Sequence, residues 1–100
     1  MNLVITKKQM DAMLVVSLEG RLDAVTARQL EAELSASLDG ITNLVFDFGK
    51  LEYITSAGLR ALLMAHRTLR EKGTITVINA NEMVREVLEL TGFRAILTIE

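Results

Sequence analysis

Residues 12–38 have the sequence AMLVVSLEGRLDAVTARQLEAELSASL, and the spacing of the apolar residues changes within this stretch. Residues 12–22 are rich in Val and Leu, and apolar residues at every second position from 14 to 18 share one face. This pattern predicts a strand in the centre of its sheet. Residues 24–38 repeat their apolar positions at helical spacing, which predicts a helix with one apolar face. The strand residues predicted to share one face are Leu14, Val16 and Leu18, and the helix residues are Ala27, Leu30, Leu34 and Leu38.

The remaining chain continues the alternation of strands and helices. Residues 43–48 predict a strand buried on both faces. Residues 74–78 are rich in β-branched side chains and predict a further strand. A loop after residue 48 leads into a second helix, and Asn81 is placed to cap a third, which Gly92 ends. The apolar face of the second helix is predicted to contain Leu59, Leu62, Leu63, His66 and Leu69.

The two ends of the chain predict the outer strands. Residues 3–5 indicate a short strand at a sheet edge, followed by a turn at residues 9–11. Residues 94–100 indicate either a short final strand or an extended tail. We therefore expect one α/β domain over residues 1–100, with a small mixed sheet of four to five strands and three or more helices. Its parallel strands would be joined by right-handed crossovers.

Composition restricts the kind of protein this can be. The 100 residues contain no cysteine, which excludes a disulfide framework and a thiolate metal site. The sequence has neither an apolar run of membrane-spanning length nor the pattern of a signal peptide, so we expect a cytoplasmic protein. A net charge of −2 provides no basic patch for nucleic acid. We expect a monomer that binds neither nucleic acid nor a membrane.

Catalysis is poorly supported by the sequence. It contains one histidine, no nucleophile elbow of the form G-x-S-x-G and no glycine-rich phosphate loop. We therefore expect no enzyme activity, no metal and no cofactor. Any function should depend on loops and helix ends that bind a partner.

Residues 53–59, YITSAGL, lie where the chain enters the second helix, and they contain two adjacent hydroxyl groups. On propensity alone, the favoured interpretation is that Thr55 or Ser56 caps the helix, which contributes about 1 kcal/mol. The functional interpretation is that Ser56 is exposed and accepts a phosphoryl group, which adds roughly −1.5 to −2 charges. The start of a helix tolerates that charge, whereas a partner packed against it does not.

Asp23 is also predicted to precede a helix that follows a strand. If its strand neighbours the strand at residues 43–48, the two helix starts share one end of the sheet. Asp23 would then either cap its own helix or orient the Ser56 hydroxyl and repel a phosphate there. The sequence leaves both interpretations open.

Three segments together resemble the STAS domain family. Residues 19–27 (EGRLDAVTA) resemble its G-x-L-D-x-x-T-A pattern, residues 47–59 (DFGKLEYITSAGL) resemble its D-x-x-x-L-x-x-[IM]-[DST]-S-x-G-L pattern, and residues 89–93 (ELTGF) resemble the end of its last helix. The order and separation of the segments also agree. The resemblance covers nearly the whole chain and implies the architecture of the SpoIIAA-like anti-sigma factor antagonists.

This resemblance implies a partner-switching function. Unphosphorylated members bind a GHKL-type serine kinase that is also an anti-sigma factor, which frees the sigma factor. Phosphorylation, here of Ser56 with Thr55 as the alternative acceptor, abolishes binding, and a PP2C-type phosphatase restores it. The partner-binding residues implied are Asp23, Ala24, Val25, Thr26, Thr55, Ser56, Ala57, Gly58, Leu59 and Arg60. The alternative is a STAS interaction module of a transport complex or stressosome-like assembly, which does not act on a sigma factor.

Two positions depart from the family pattern. Thr55 stands where the best-known antagonists carry Asp, and Gly49 replaces a frequent polar residue. Threonine places less negative charge around Ser56 than aspartate would. Both departures could alter kinase specificity, although neither removes the acceptor hydroxyl.

Overall fold

The computed structural model describes residues 3–69 and 72–100, which form one layer of sheet and one layer of helices. The strands of these residues are β1 (Val4–Met10), β2 (Met13–Leu22), β3 (Asn43–Ile54), β4 (Thr74–Ile78) and β5 (Thr98–Ile99). Their helices are α1 (Ala24–Ser37), α2 (Ser56–Leu69) and α3 (Glu82–Leu90), and a short 3-10 turn covers Phe93–Ala95. The predicted α/β fold class is confirmed.

The strands lie in the sheet in the same order as in the sequence. β1 pairs with β2 antiparallel, and β2 to β5 are parallel, which confirms the predicted mixed sheet. Right-handed crossovers that all step in one direction place their helices on the same face of a sheet. The prediction that residues 43–48 are buried on both faces is therefore wrong. Phe46 and Phe48 are buried on the helix side, whereas Val45 and Asp47 are only half-buried.

The first hairpin differs from the prediction in its length. β1 continues to Met10, and the turn consists of Asp11 and Ala12 instead of residues 9–11. Asp11 has a φ of +54°, which a short polar side chain tolerates better than most. β1 is an edge strand as predicted, and Lys7 fastens it to α1, with Nζ 2.7 Å from Oε2 of Glu33.

β3 extends six residues beyond the predicted strand, to Ile54. The segment from Gly49 to Ile54 was predicted as a loop, and that prediction is wrong. Two irregularities in the pairing with β2, each with one additional residue in β3, explain the error. A bulge breaks the two-residue alternation that identifies a strand. The buried residues beyond Phe48 are accordingly three apart, at Leu51 and Ile54.

Asp47 holds the first of these bulges in place. Its Oδ1 accepts hydrogen bonds from the Gly49 backbone N–H at 3.0 Å and from Asn79 Nδ2 at 3.1 Å. A Cβ added at Gly49 would lie 3.2 Å from the same oxygen. Gly49, which departs from the family pattern, therefore fits closely against the Asp47 carboxylate.

The face that α2 turns to the sheet contains more small residues than predicted. Its buried residues are Gly58, Ala61, Leu62, Ala65 and Leu69. The predicted face included Leu59, Leu63 and His66, which are only half-buried. Small side chains allow the helix to approach the sheet closely. Because the prediction selected the large apolar residues, it missed these small residues and placed half-buried leucines on the inner face.

The C-terminal part of the chain follows the prediction more closely. Asn81 caps α3 by accepting a hydrogen bond from the Val84 backbone N–H at 2.8 Å. Gly92, with a φ of +81°, directs the chain out of the helix. Of the two alternatives for the last segment, a strand is observed, because β5 pairs with β4. None of the described helices is both long and apolar enough to cross a membrane.

Candidate functional site

The starts of α1 and α2 lie side by side at one end of the sheet. Leu22 at the end of β2 pairs with Ile54 at the end of β3, and both strands run in the same direction. The Thr55 backbone N–H donates to the Leu22 carbonyl at 2.9 Å, which ties the two strand ends together. Adjacent strands are about 4.8 Å apart, so the helices that follow begin next to each other. This confirms the condition that the sequence analysis set for a shared site.

Asp23 closes the start of α1. Its Oδ1 accepts hydrogen bonds from the backbone N–H groups of Val25 and Thr26, both at 3.0 Å. In return, the Asp23 N–H donates to Thr26 Oγ1 at 2.9 Å, and the Thr26 hydroxyl donates to the Arg21 carbonyl at 2.7 Å. These contacts form a reciprocal capping box. They show the capping role of Asp23.

The electrostatics of Asp23 agree with this geometry. The hydrogen bond from the Thr26 backbone N–H lowers the pKa of the carboxyl group below its ordinary value of 3.8, and the Thr26 hydroxyl and Val25 N–H act in the same direction. Hydrogen bonds to a carboxylate stabilise its charged form. Within the described residues, Ser56 donates no hydrogen bond to Asp23. The carboxylate is oriented toward its own helix.

The start of α2 is open by contrast. Thr55 accepts the first helical hydrogen bond at its carbonyl, from Leu59 N–H at 3.0 Å, which makes it the N-cap residue. Its hydroxyl, however, donates to the Leu22 carbonyl at 3.2 Å. Within the described residues, no side chain accepts a hydrogen bond from the first N–H groups of α2. Neither Thr55 nor Ser56 therefore acts as the side-chain cap that propensity favoured.

Ser56 is the first residue of α2, and its side chain is exposed. Its hydroxyl makes no hydrogen bond to any other described residue. Thr55, the alternative acceptor, is half-buried, and its hydroxyl is already engaged with Leu22. Of the two hydroxyl groups, the one at Ser56 is the more accessible to an enzyme.

The residues implied as partner-binding differ widely in exposure. Val25 is 76% exposed, so an apolar side chain lies on the surface at the start of α1. The other exposed residues are Ala24, Ser56 and Arg60, and the half-buried ones are Asp23, Thr55, Ala57 and Leu59. We call these eight residues the paired-helix surface.

Thr26 and Gly58, which the resemblance also implies as partner-binding, are buried and are left out of this surface. Thr26 is 3% exposed because its hydroxyl completes the capping box. Gly58 is buried against the sheet, where an added Cβ would lie 2.7 Å from Ile54 Cγ1 and 2.8 Å from Leu22 Cγ. Both residues position the helix starts and present no side chain to a partner.

One neighbour of the site was not indicated by the sequence patterns. The Arg21 guanidinium lies 5.7 Å from the centre of the Tyr53 ring and 3.9 Å from the Glu52 carboxylate. These residues precede Asp23 and Ser56 on the ends of β2 and β3. Arg21 and Tyr53 each precede a buried residue, Leu22 and Ile54, and therefore lie on the opposite face of the sheet. This pairing can be recognised only if β3 is known to continue through its bulges.

The described residues contain no group of three or more His, Cys, Asp or Glu side chains placed to hold a metal ion. What this end of the sheet offers is an accessible hydroxyl, exposed apolar area at Val25 and an exposed cation at Arg60. Such an arrangement can bind another protein and can be modified covalently.

A family model and several known proteins are similar to this chain. Residues 5–98 match the model described as "Mlab, STAS domain". BtrV of Bordetella bronchiseptica, named as a candidate anti-sigma factor antagonist, is 40% identical over 97 residues, covering 95% of this chain and 84% of BtrV. An anti-sigma factor antagonist from Mycobacterium paratuberculosis has a crystal structure with a TM-score of 0.87 and 28% identity, covering 97% of this chain and 84% of that one.

A third similar protein is the Bacillus cell fate determinant SpoIIAA, whose structure is known in the phosphorylated form. It has a TM-score of 0.76 and 21% identity, and the match covers 97% of this chain and 91% of SpoIIAA. At this identity the comparison shows a common fold. The sequential five-stranded sheet and its helices are thus an architecture that other proteins share.

Proposed function

This chain belongs to the STAS domain family, and we propose that it is a cytoplasmic anti-sigma factor antagonist switched by phosphorylation of Ser56. In this proposal, the unphosphorylated paired-helix surface binds a GHKL-type serine kinase that is also an anti-sigma factor, and the sigma factor is released. A PP2C-type phosphatase regenerates the binding form. The names of BtrV and of the Mycobacterium paratuberculosis relative support the general role.

The observation that carries the proposal is the state of the Ser56 hydroxyl. It is exposed at the first residue of α2 and makes no hydrogen bond within the described residues. A kinase can therefore reach it without unfolding the helix. In the transfer, a bond forms between Oγ of Ser56 and the γ-phosphorus of ATP as the bond to the ADP oxygen breaks, and the serine proton passes to the kinase.

The position of the hydroxyl explains how one phosphate changes binding without destroying the fold. The open start of α2 has backbone N–H groups and a dipole that favour a negative charge. The same dianion carries a hydration shell that a partner must remove to pack against Val25 and Ala57. Phosphorylation should therefore leave the domain folded and weaken its binding strongly.

The kinase contributes the catalytic groups in this mechanism, and the STAS chain acts by binding. Its surface offers an exposed apolar side chain at Val25 and an exposed cation at Arg60, one helical turn beyond the hydroxyl that is modified. A partner with an apolar patch flanked by acidic side chains fits these groups. Phosphorylation of Ser56 thus occurs within the paired-helix surface and controls whether the kinase binds to that surface.

Mass spectrometry after incubation with the candidate GHKL-type kinase and ATP tests the acceptor. We expect a single phosphate on Ser56, which disappears in the Ser56→Ala variant and persists in Ser35→Ala, a matched exposed serine on α1. Phosphate on Thr55 alone would contradict the assignment of the acceptor. No phosphate on either residue would contradict phosphorylation as the switch.

Binding measurements by calorimetry with the same kinase test the switch itself. We expect Ser56→Ala to bind like the wild type and Ser56→Asp to bind about a hundredfold more weakly, since an uncompensated charge in an interface costs several kcal/mol. The control Ser35→Asp adds the same charge away from the site and should leave affinity unchanged. Equal affinity of Ser56→Ala and Ser56→Asp would favour the alternative, an interaction module of a transport complex.

A further inference from the structure

Arg60 is an exposed cation one helical turn beyond Ser56 that the fold does not use. It forms no ion pair or hydrogen bond with any other described residue. Arg21, on the neighbouring strand end, lies near Glu52 instead, and Arg94 pairs with Glu89. Arg60 is therefore available for a group that is absent from the unmodified chain.

The spacing of Ser56 and Arg60 suits a direct ion pair. Residues four apart on a helix have Cβ atoms about 5–6 Å apart and face the same side. The order is also favourable, because an acidic group N-terminal to a basic one at this spacing stabilises a helix more than the reverse. A guanidinium can donate two parallel hydrogen bonds to a phosphate, which lysine cannot do.

We infer that Arg60 is the internal receptor for the phosphate on Ser56, an inference that rests on the proposed phosphorylation of that residue. In the unmodified chain, Arg60 is part of the paired-helix surface. In the phosphorylated chain, its guanidinium turns back one turn and pairs with the phosphate. Phosphorylation then changes the surface twice, because it adds a dianion at Ser56 and withdraws the cation at Arg60 from a partner.

Phosphorus NMR titration tests this pairing without any kinase or partner. Phosphoserine is incorporated at position 56 during translation, and the phosphate resonance is followed against pH in the wild type and in Arg60→Gln. A nearby cation stabilises the dianion, so the second pKa of the phosphate should be lower in the wild type by about 0.3 pH units at low salt. The difference should shrink in high salt, because the pair is exposed.

The control is Arg67→Gln, which removes the same charge from the same helix at a position about 16 Å from Ser56 along the helix axis. It should leave the titration unchanged, and Arg60→Lys should keep most of the shift because it keeps the charge. Identical curves for the wild type and Arg60→Gln would overturn the inference, as would an equal effect of Arg67→Gln. Circular dichroism of each variant checks that α2 stays folded.

The outcome is separable from that of the proposed function. An Arg60-dependent titration together with equal kinase binding by the phosphorylated and unmodified chains would refute the switch and leave the ion pair established. Loss of kinase binding on phosphorylation together with identical titrations would refute the ion pair and leave the switch standing.

Discussion

The two helices that begin side by side at the end of the sheet differ in how their first N–H groups are satisfied. At α1, Asp23 and Thr26 form a reciprocal capping box, and Thr26 is buried. At α2, Thr55 donates its hydroxyl to Leu22 of the neighbouring strand and leaves the helix start open. One start is thus held rigidly by its own residues, whereas the other has free donors beside an exposed Ser56. The closed start positions the surface, whereas the open start bears the proposed phosphorylation site.

The largest effect on stability is expected at Gly58, which packs against the ends of the two strands that lead into α1 and α2. In Gly58→Ala, the new methyl group would lie within 3 Å of Leu22 and Ile54, which end the two strands. Overpacking of this kind costs about 2–3 kcal/mol of unfolding free energy. Urea unfolding measures it, with Ala57→Gly as a helix-propensity control. Unchanged stability of Gly58→Ala would show that α2 has room to move away from the sheet.

Opening the closed start should have the next largest effect. Thr26→Val keeps the shape of the side chain and removes the hydroxyl that accepts from Asp23 N–H and donates to the Arg21 carbonyl. Leaving these partly buried groups unpaired should lower the unfolding free energy by about 1–2 kcal/mol. Hydrogen exchange should also increase in the first turn of α1 and remain unchanged in α2. An equal increase in hydrogen exchange at both helix starts would contradict the expectation that each start is stabilised separately.

Closing the open start should give a smaller effect of opposite sign. Thr55→Asp places a carboxylate where it can accept from the free N–H groups of α2, so the unfolding free energy should rise by about 0.5–1 kcal/mol. Thr55→Val removes only the bond to Leu22 and should lower it by a similar amount. Urea unfolding of both variants measures the difference. A loss of stability in Thr55→Asp would mean that the anchor to Leu22 outweighs a cap.

The smallest effect at neutral pH is expected for Asp23→Asn, because both residues are good N-caps. The pKa of Asp23 is lowered in the folded state. Its carboxylate therefore contributes stability that is present above the ordinary pKa of 3.8 and is lost as the pH falls through the lower pKa of the folded state. The stability of the wild type should thus decline more steeply in acid than that of Asp23→Asn. Parallel pH profiles in urea unfolding would contradict this role.

The elements that the sequence predicted well are those with an uninterrupted period. β2 and α1 satisfy the expected spacing throughout, and each predicted inward residue of these elements, from Leu14 to Leu38, is buried. The end of β3 was missed because its two bulges place polar residues such as Lys50 and Glu52 inside a strand. In a segment with polar residues, alternation is the main signal of a strand, and an added residue interrupts it.

The location of the candidate site at a helix start could be predicted from the sequence, whereas not all of its internal contacts could. The position of Ser56 at a helix start follows from the change of apolar spacing near residue 56. Which hydroxyl is engaged depends on the register of β2 against β3, because Thr55 donates to a carbonyl 33 positions earlier in the chain. A local pattern does not contain this information. The contacts of Thr26 are local by contrast, because its hydroxyl bonds to Asp23 and Arg21 within five positions.

The sequential order of the sheet has a consequence for how the chain is made. Each strand pairs with the strand that precedes it in the sequence, so no strand has to wait for a distant partner translated much later. The nascent chain can add one strand and one helix at a time as it leaves the ribosome, starting from the β1–β2 hairpin. On this route the end of the sheet that bears Ser56 is complete once α2 has emerged, before β4 and β5 emerge.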